Sequence, residues 1–360
     1  SITSRMYFPR IMPSLHSTVI EMVLLLVIHV VSILGFQESG AIEVVHMCRQ
    51  SLMTMRYSTE QLDVSNCTHV IVSDLGLYND QEISVPKKVD EFVAAFRSCN
   101  SEVKVLLLTY VRINLEVDTE KIVKKLLNVT SNYDGLVIEN GIVPQDLATE
   151  VIQELSGQLK EQNKTFFLAE SSLEIVPERY YASGLHSHFD GVIINTYKVE
   201  PHSDVIKPFE SIHGANESST SLENQIKTWN DQGFENGRIV YQMNIDKGVL
   251  YYLDEDHRPY FGHPYYYILY VNMLDPFLDM KWDEVTQEGI TFGYNETNFL
   301  VMNTPRAIQL KAKFIMKKEL LGFCISDSYR DSLYSNSTNS GSRMAYLSSA
   351  TEVFKLTSGR

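Results

Sequence analysis

The sequence predicts an α/β fold in which eight strand-helix units close into a (β/α)8 TIM barrel, with an insertion after the seventh strand. Three observations carry that expectation. Short apolar, β-branched runs alternate with amphipathic segments of helical length, the pattern of a parallel sheet whose strands are covered by helices. The chain has 360 residues, whereas such a barrel needs roughly 250, so an insertion can be accommodated. The rhythm breaks between residues 246 and 303, where the composition turns aromatic.

Taken in order, residues 42–48 read as the first strand, 68–75 (THVIVSDL) as the second and 103–110 (VKVLLLTY) as the third. Between the last two, residues 86–96 place apolar side chains at 89, 92, 93 and 96, which is helical spacing with Pro86 at the first turn. Residues 118–127 repeat the pattern before a fourth strand at 133–138, apolar except for its Asp134-Gly135 step. Helix 146–159 leads to strand 165–169, residues 174–186 to strand 189–196 (FDGVIINT), and helix 222–232 to strand 238–244 (RIVYQMN). After the insertion at about 246–303 come helix 304–318, an eighth strand at 321–326 (LGFCIS) and a last helix at 344–356. Right-handed crossovers between such units give a parallel sheet, and eight units close it.

A net charge of −14 argues against nucleic acid and anionic membrane surfaces as partners. Residues 22–35 (MVLLLVIHVVSILG) are apolar apart from His29 and Ser32, with Arg5 and Arg10 ahead of them. That run is short for a spanning helix of about 20 residues and suits a secretory signal peptide, with Ser39 and Ala41 at a cleavage spacing. Residues 1–41 are therefore expected to be a leader and 42–360 the barrel, secreted and free of the membrane once the leader is cleaved. Six N-x-S/T sequons, at Asn66, Asn128, Asn163, Asn216, Asn295 and Asn336, agree with a glycosylated extracellular protein. Neither the four cysteines nor His186-x-His188 has the spacing of a zinc site, so no metal or cofactor is implied and the two histidines are expected to be solvated.

Residues 134–141 read D-G-L-V-I-E-N-G. Here the sequence resembles the glycoside hydrolase family 18 chitinases, whose fourth barrel strand carries D-G-x-D-x-D-x-E ending in the catalytic acid. On that pattern Asp134 and Gly135 are kept, Val137 replaces the first inner Asp, Glu139 the second, and Gly141 stands where the acid belongs. Side chains alternate along a strand, so Val137, Glu139 and Gly141 share the inward face, with Leu136 and Ile138 toward the helices. Glu139 then lies about 6.6 Å below the acid's place, beyond the roughly 3 Å reach that proton donation needs.

The same resemblance places Tyr197 where the family's sixth-strand tyrosine binds the substrate acetamide, with Lys198 in place of its Asp partner. Glu139 and Lys198 are the charged pair expected at the mouth, either as a structural ion pair or as ligand contacts. Tyr110 and Val111 stand where the family has a glycine pair, and Ser326 where it has the tryptophan that floors the sugar site. The resemblance also implies that the insertion after the seventh strand is a small α+β insertion and that Cys48 and Cys67 form a disulfide, leaving Cys99 and Cys324 as buried thiols. Together these residues point to a secreted chitinase-like protein without hydrolase activity that binds a chito-oligosaccharide, another glycan or an extracellular protein. The alternative is an active glycosidase with a relocated acid, Glu139 or Asp327. Turnover of a fluorogenic chito-oligosaccharide separates the two.

Overall fold

The computed structural model describes residues 44–51, 64–78, 85–112, 118–139, 145–169, 184–195, 210–213, 221–245, 248–252, 281–285, 287–326, 331 and 345–358. The predicted leader, much of the predicted helix at 174–186 and the aromatic run of 253–280 lie outside these residues. Among the described residues no helix is long and apolar enough to cross a membrane.

Eight parallel strands form a closed barrel: β1 (Val45–Ser51), β2 (His69–Tyr78), β3 (Lys104–Arg112), β4 (Gly135–Glu139), β5 (Thr165–Ala169), β6 (Gly191–Asn195), β7 (Ile239–Asn244) and β12 (Gly322–Ser326). Around the ring the order is β1-β12-β7-β6-β5-β4-β3-β2. Helices α1 (Lys87–Cys99), α2 (Thr119–Thr130), α3 (Gln145–Glu161), α4 (Leu222–Asp231), α5 (Pro305–Lys317) and α6 (Ala345–Ser358) complete the described units. This is the (β/α)8 TIM barrel that the strand-helix rhythm implies. The predicted insertion region holds an antiparallel sheet of β8 (Gly248–Tyr252), β9 (Lys281–Val285), β10 (Ile290–Tyr294) and β11 (Asn298–Met302), in the order β8-β11-β10-β9.

Local chemistry explains several of the boundaries. Asp118 caps α2 by accepting from Glu120 N at 3.0 Å, and Thr304 caps α5 through Ala307 N at 3.2 Å with Pro305 in the first turn. The first strand differs from expectation. It runs Val45–Ser51 instead of 42–48, carrying Arg49 and Gln50 into the sheet. Composition alone disfavours ending a buried strand on a cation, and a partner inside the barrel reverses that preference.

Two apolar layers result from the alternation. Leu136 and Ile138 join the layer between barrel and helices, while Val137 packs inside with Val45, Met47, Ile71, Leu106, Leu108, Phe167, Ile193, Val240 and Cys324. Cys48 and Cys67 are disulfide-bonded with Cα atoms 6.0 Å apart, on the outer side of β1. Cys324 is a buried thiol, but Cys99 is exposed, contrary to expectation. Its helix ends at that residue, one turn after the apolar row Val89, Phe92, Val93 and Phe96 is complete.

The closed end of the barrel is built from two Asp-Gly steps. Asp134 donates its N–H to Val105 O at 2.8 Å and accepts from Val105 N at 2.8 Å. Asp190 does the same to Phe166, both at 2.7 Å. Each aspartate thus satisfies both backbone groups of one residue near the start of the preceding strand, groups that a buried sheet end cannot leave unpaired. The glycine that follows allows the next strand to approach. A Cβ on Gly135 would lie 2.3 Å from Thr165 O, and one on Gly191 2.7 Å from Arg238 O.

Candidate functional site at the barrel mouth

All eight strands run the same way, so their C-terminal ends converge on one mouth, and most of the inward positions there are polar, Tyr110 and Ala169 staying with the inner apolar core. Arg49, Glu139, Asn195, Gln242, Asn244 and Ser326 take the places that Met47, Val137, Ile193, Val240 and Cys324 hold lower down. Inward carboxylates, amides and a guanidinium at the strand ends are what a barrel uses to hold a ligand, and also what it uses to satisfy itself when the mouth is filled.

Here five of the six, Arg49, Glu139, Asn195, Gln242 and Asn244, bond to one another. Arg49 Nη2 donates to Glu139 Oε2 at 3.2 Å and its Nη1 to Gln242 Oε1 at 3.3 Å. Gln242 Nε2 donates to Asn244 Oδ1 at 3.2 Å, and Asn244 Nδ2 to Asn195 Oδ1 at 3.0 Å and to Glu210 Oε1. The chain of contacts then leaves the barrel. Asn303 Nδ2, just past β11, donates to Glu210 Oε2 and to Asn244 O, both at 2.6 Å. Lys311 Nζ on α5 donates to Asn303 Oδ1 and lies 3.5 Å from Glu210 Oε2. A continuous polar path therefore links β4, β1, β7, the segment 210–213, the end of the inserted sheet and α5.

Its far end is the most desolvated. The side chains of Glu210 and Lys311 are both fully buried. Burial raises the Glu210 pKa, and the Lys311 charge together with hydrogen bonds from Asn244 and Asn303 pulls it back. Burial likewise lowers the Lys311 pKa to about 8, against the pull of Glu210. Glu210 adopts a left-handed backbone, φ 54°, which this dense set of bonds sustains at a residue other than glycine.

The sequence-derived site residues fall into three groups. Glu139 is inward and buried at the mouth, and its described ion-pair partner is Arg49. Tyr110 is its register partner on β3 and packs against the inner core. Ser326 is buried, its hydroxyl oxygen accepting from Ile245 N at 3.4 Å. Asp134 and Gly135 stand at the opposite end, so these signature letters serve the barrel floor. Gly141, Tyr197, Lys198, Val111's side chain and Asp327 lie outside the described residues. His186 and His188 are half-buried, not solvated: the His186 ring sits 6.1 Å from Phe234, and the short helix Leu185–His188 packs against α3, whose Ser156 hydroxyl donates to His188 O at 2.8 Å. Among the described residues no group of three potential ligands could hold a metal.

Sequence reading missed Arg49, Gln242, Asn244, Glu210, Asn303 and Lys311. Two signals were present. Arg49 follows Val45 and Met47 at the inward parity, and Lys311 stands one turn from both Ile308 and Ile315 on the apolar face of α5. A charge in a buried row implies a partner.

No protein-family model and no curated protein matches the sequence. The fold, however, has close structural likenesses. An immunomodulatory active chitinase from Trichuris suis superposes with a TM-score of 0.72 at 14% identity, covering 87% of this chain and 100% of that one. The Group IV chitinase of Ostrinia furnacalis gives 0.71 at 13%, over 87% and 99%. A chitinase-like agglutinin from Robinia pseudoacacia gives 0.66 at 13%, over 83% and 99%. The barrel thus has a fold like that of the glycoside hydrolase family 18 chitinases, and at these identities the likeness is one of fold alone.

Proposed function

We propose that this chain is a secreted chitinase-like protein that binds a chito-oligosaccharide or related glycan at the barrel mouth without hydrolysing it. The observation that carries the reading is the Arg49–Glu139 pair. Glu139 is the inward carboxylate on β4, and a guanidinium that is itself held by Gln242 engages its Oε2. A general acid must instead present its oxygen to the leaving group. Gly141, at the acid's place in the signature, has no proton to give.

Glycan binding is supported by the fold's company. A related chitinase from Cycas revoluta was solved with bound (GlcNAc)4, and the agglutinin shares the architecture. Fold alone does not fix a ligand, so an extracellular protein partner is the competing occupant. The leader-like segment at 22–35 and the sequons support secretion.

Titration with (GlcNAc)4 and turnover of a fluorogenic chito-oligosaccharide test the proposal together. Saturable binding without turnover is expected. Turnover lost in Glu139→Gln or Asp327→Asn would establish the relocated-acid alternative, and absence of any glycan binding would move the function to a protein partner.

A further inference from the structure

The hairpin between β10 and β11 carries a sequon at its tip, Asn295-Glu296-Thr297, and the polar network of the mouth makes no use of it. Asn295 N donates to Asn298 O at 3.0 Å and closes the loop. Its side-chain Oδ1 accepts from Asn298 N at 2.8 Å, Thr297 N at 3.1 Å, Asn298 Nδ2 at 3.3 Å and the Thr297 hydroxyl at 3.4 Å. These bonds hold the asparagine in an Asx turn through its oxygen. No described residue takes its Nδ2, the atom that receives a glycan.

An aromatic face lies beside the tip. Phe292 stacks on Phe299 with ring centroids 5.1 Å apart and stands 6.2 Å from Tyr294. Tyr294 pairs with Phe299 across the ladder, so the three rings share one face of the inserted sheet. Tyr294 is 38% exposed, the one large hydrophobic residue so exposed among the described residues. Lys281 and Asp283, opposite Tyr294 and Phe292 on β9, are exposed polar neighbours able to reach hydroxyl groups. A ring face bordered by hydrogen-bonding side chains matches the two sides of a pyranose, one of C–H groups and one of hydroxyls.

We propose that Asn295 is N-glycosylated and that the first N-acetylglucosamine of its glycan lies on the Phe292, Tyr294 and Phe299 face, covering it. In the transfer, the bond from Nδ2 to the sugar's anomeric carbon forms as the bond to a lipid-linked diphosphate breaks. The diphosphate leaves with the electron pair, and the amide gives up one proton. The other described sequons are built differently. Asn66 is half-buried beside the disulfide, with Lys355 donating to its Oδ1 at 3.2 Å. Asn128 lies in the last turn of α2 and Asn163 in a left-handed turn before β5, φ 60°, and neither side chain makes the turn that Asn295 makes. The inference rests on the secretory part of the proposed function and is independent of glycan binding at the mouth.

The full chain, expressed in a secretory eukaryotic cell, is mapped by enzymatic deglycosylation in heavy-oxygen water and peptide mass spectrometry. Asn295 is expected to be converted to labelled Asp. Trimming the glycan to a single N-acetylglucosamine should leave Tm unchanged, and removing that last sugar should lower it by about 2–4 °C. The drop should vanish in Tyr294→Ser and in Phe292→Ser, which keep the sequon intact. An unlabelled Asn295 in a chain that has lost its leader and carries sugar elsewhere overturns this proposal alone. A chain that keeps its leader and carries no sugar overturns it together with the secretory reading. An occupied Asn295 whose effect on Tm persists without Tyr294 and Phe292 overturns the sugar-on-aromatic contact.

Discussion

The two ends of the barrel satisfy their buried polar groups in opposite ways. At the floor, each Asp-Gly step serves one neighbouring strand: Asp134 meets Val105 and Asp190 meets Phe166 through paired backbone and carboxylate bonds. At the mouth, Arg49, Glu139, Gln242, Asn244, Glu210, Asn303 and Lys311 come from segments up to hundreds of residues apart and depend on one another in series. A floor made of repeated local steps is specified unit by unit. A mouth made of one network couples each residue to the next. The difference also separates the letters of the D-G-L-V-I-E-N-G string: its first two belong to the floor and Glu139 to the mouth.

The sharpest way to break the comparison is at the floor. Gly322→Ala would bring a Cβ to 1.9 Å from Val45 O, and Gly135→Ala to 2.3 Å from Thr165 O. Backbone atoms on a neighbouring strand cannot move aside as a side chain can. We expect each variant to lose on the order of 4 kcal/mol or more, or to fail to fold, as read by soluble yield and urea unfolding.

The mouth should respond to its network. Lys311→Met leaves Glu210 fully buried without its cation, and Glu210→Gln does the converse. Each single variant is expected to cost about 3–5 kcal/mol in denaturant unfolding, whereas the double variant should recover much of that loss. Additive losses would mean that the pair is not coupled.

Acid separates the apolar surroundings of the strands from this network. His46 packs between Phe323 and Phe354, and His69 lies against Phe167. Burial lowers both pKa values to about 4 from the usual 6.5. Between those values the unfolded chain binds more protons, so the stability contributed by each neutral imidazole is complete above about pH 6.5 and is lost as pH falls toward 4. The loss should be about 2–3 kcal/mol per histidine. Asp331, whose carboxylate accepts from Tyr346 N and Leu347 N, works in the opposite direction, its pKa raised to about 7 by burial. His46→Leu should remove its share of the acid slope, measured by unfolding at pH 4.5 and pH 7.

The smallest effect is expected at the water-facing end of the network. The Arg49 and Glu139 side chains are 17% and 7% exposed, so Arg49→Met should cost about 1–2 kcal/mol, with Glu139→Gln in the same chain restoring part of it. A loss as large as that of Lys311→Met would show that the network is equally desolvated along its length.

The sequence by itself determined the strand-helix alternation, the inward register of Val137 and Glu139, the place of the insertion and most of the helix starts. Each depends on residues close together in the chain: periodicity, a capping Asp118 or Thr304, a proline in a first turn. The partners of buried charge were decided by the tertiary structure alone. Glu139 faces Arg49, and Lys311 finds Asn303 and Glu210, only because barrel closure brings β1 between β2 and β12 and lays α5 over the end of the inserted sheet. A charge at an inward position announces that a partner must exist, since an unpaired buried ion is too costly to keep. Which residue answers is fixed by which strands become neighbours, and linear order carries no record of that distance.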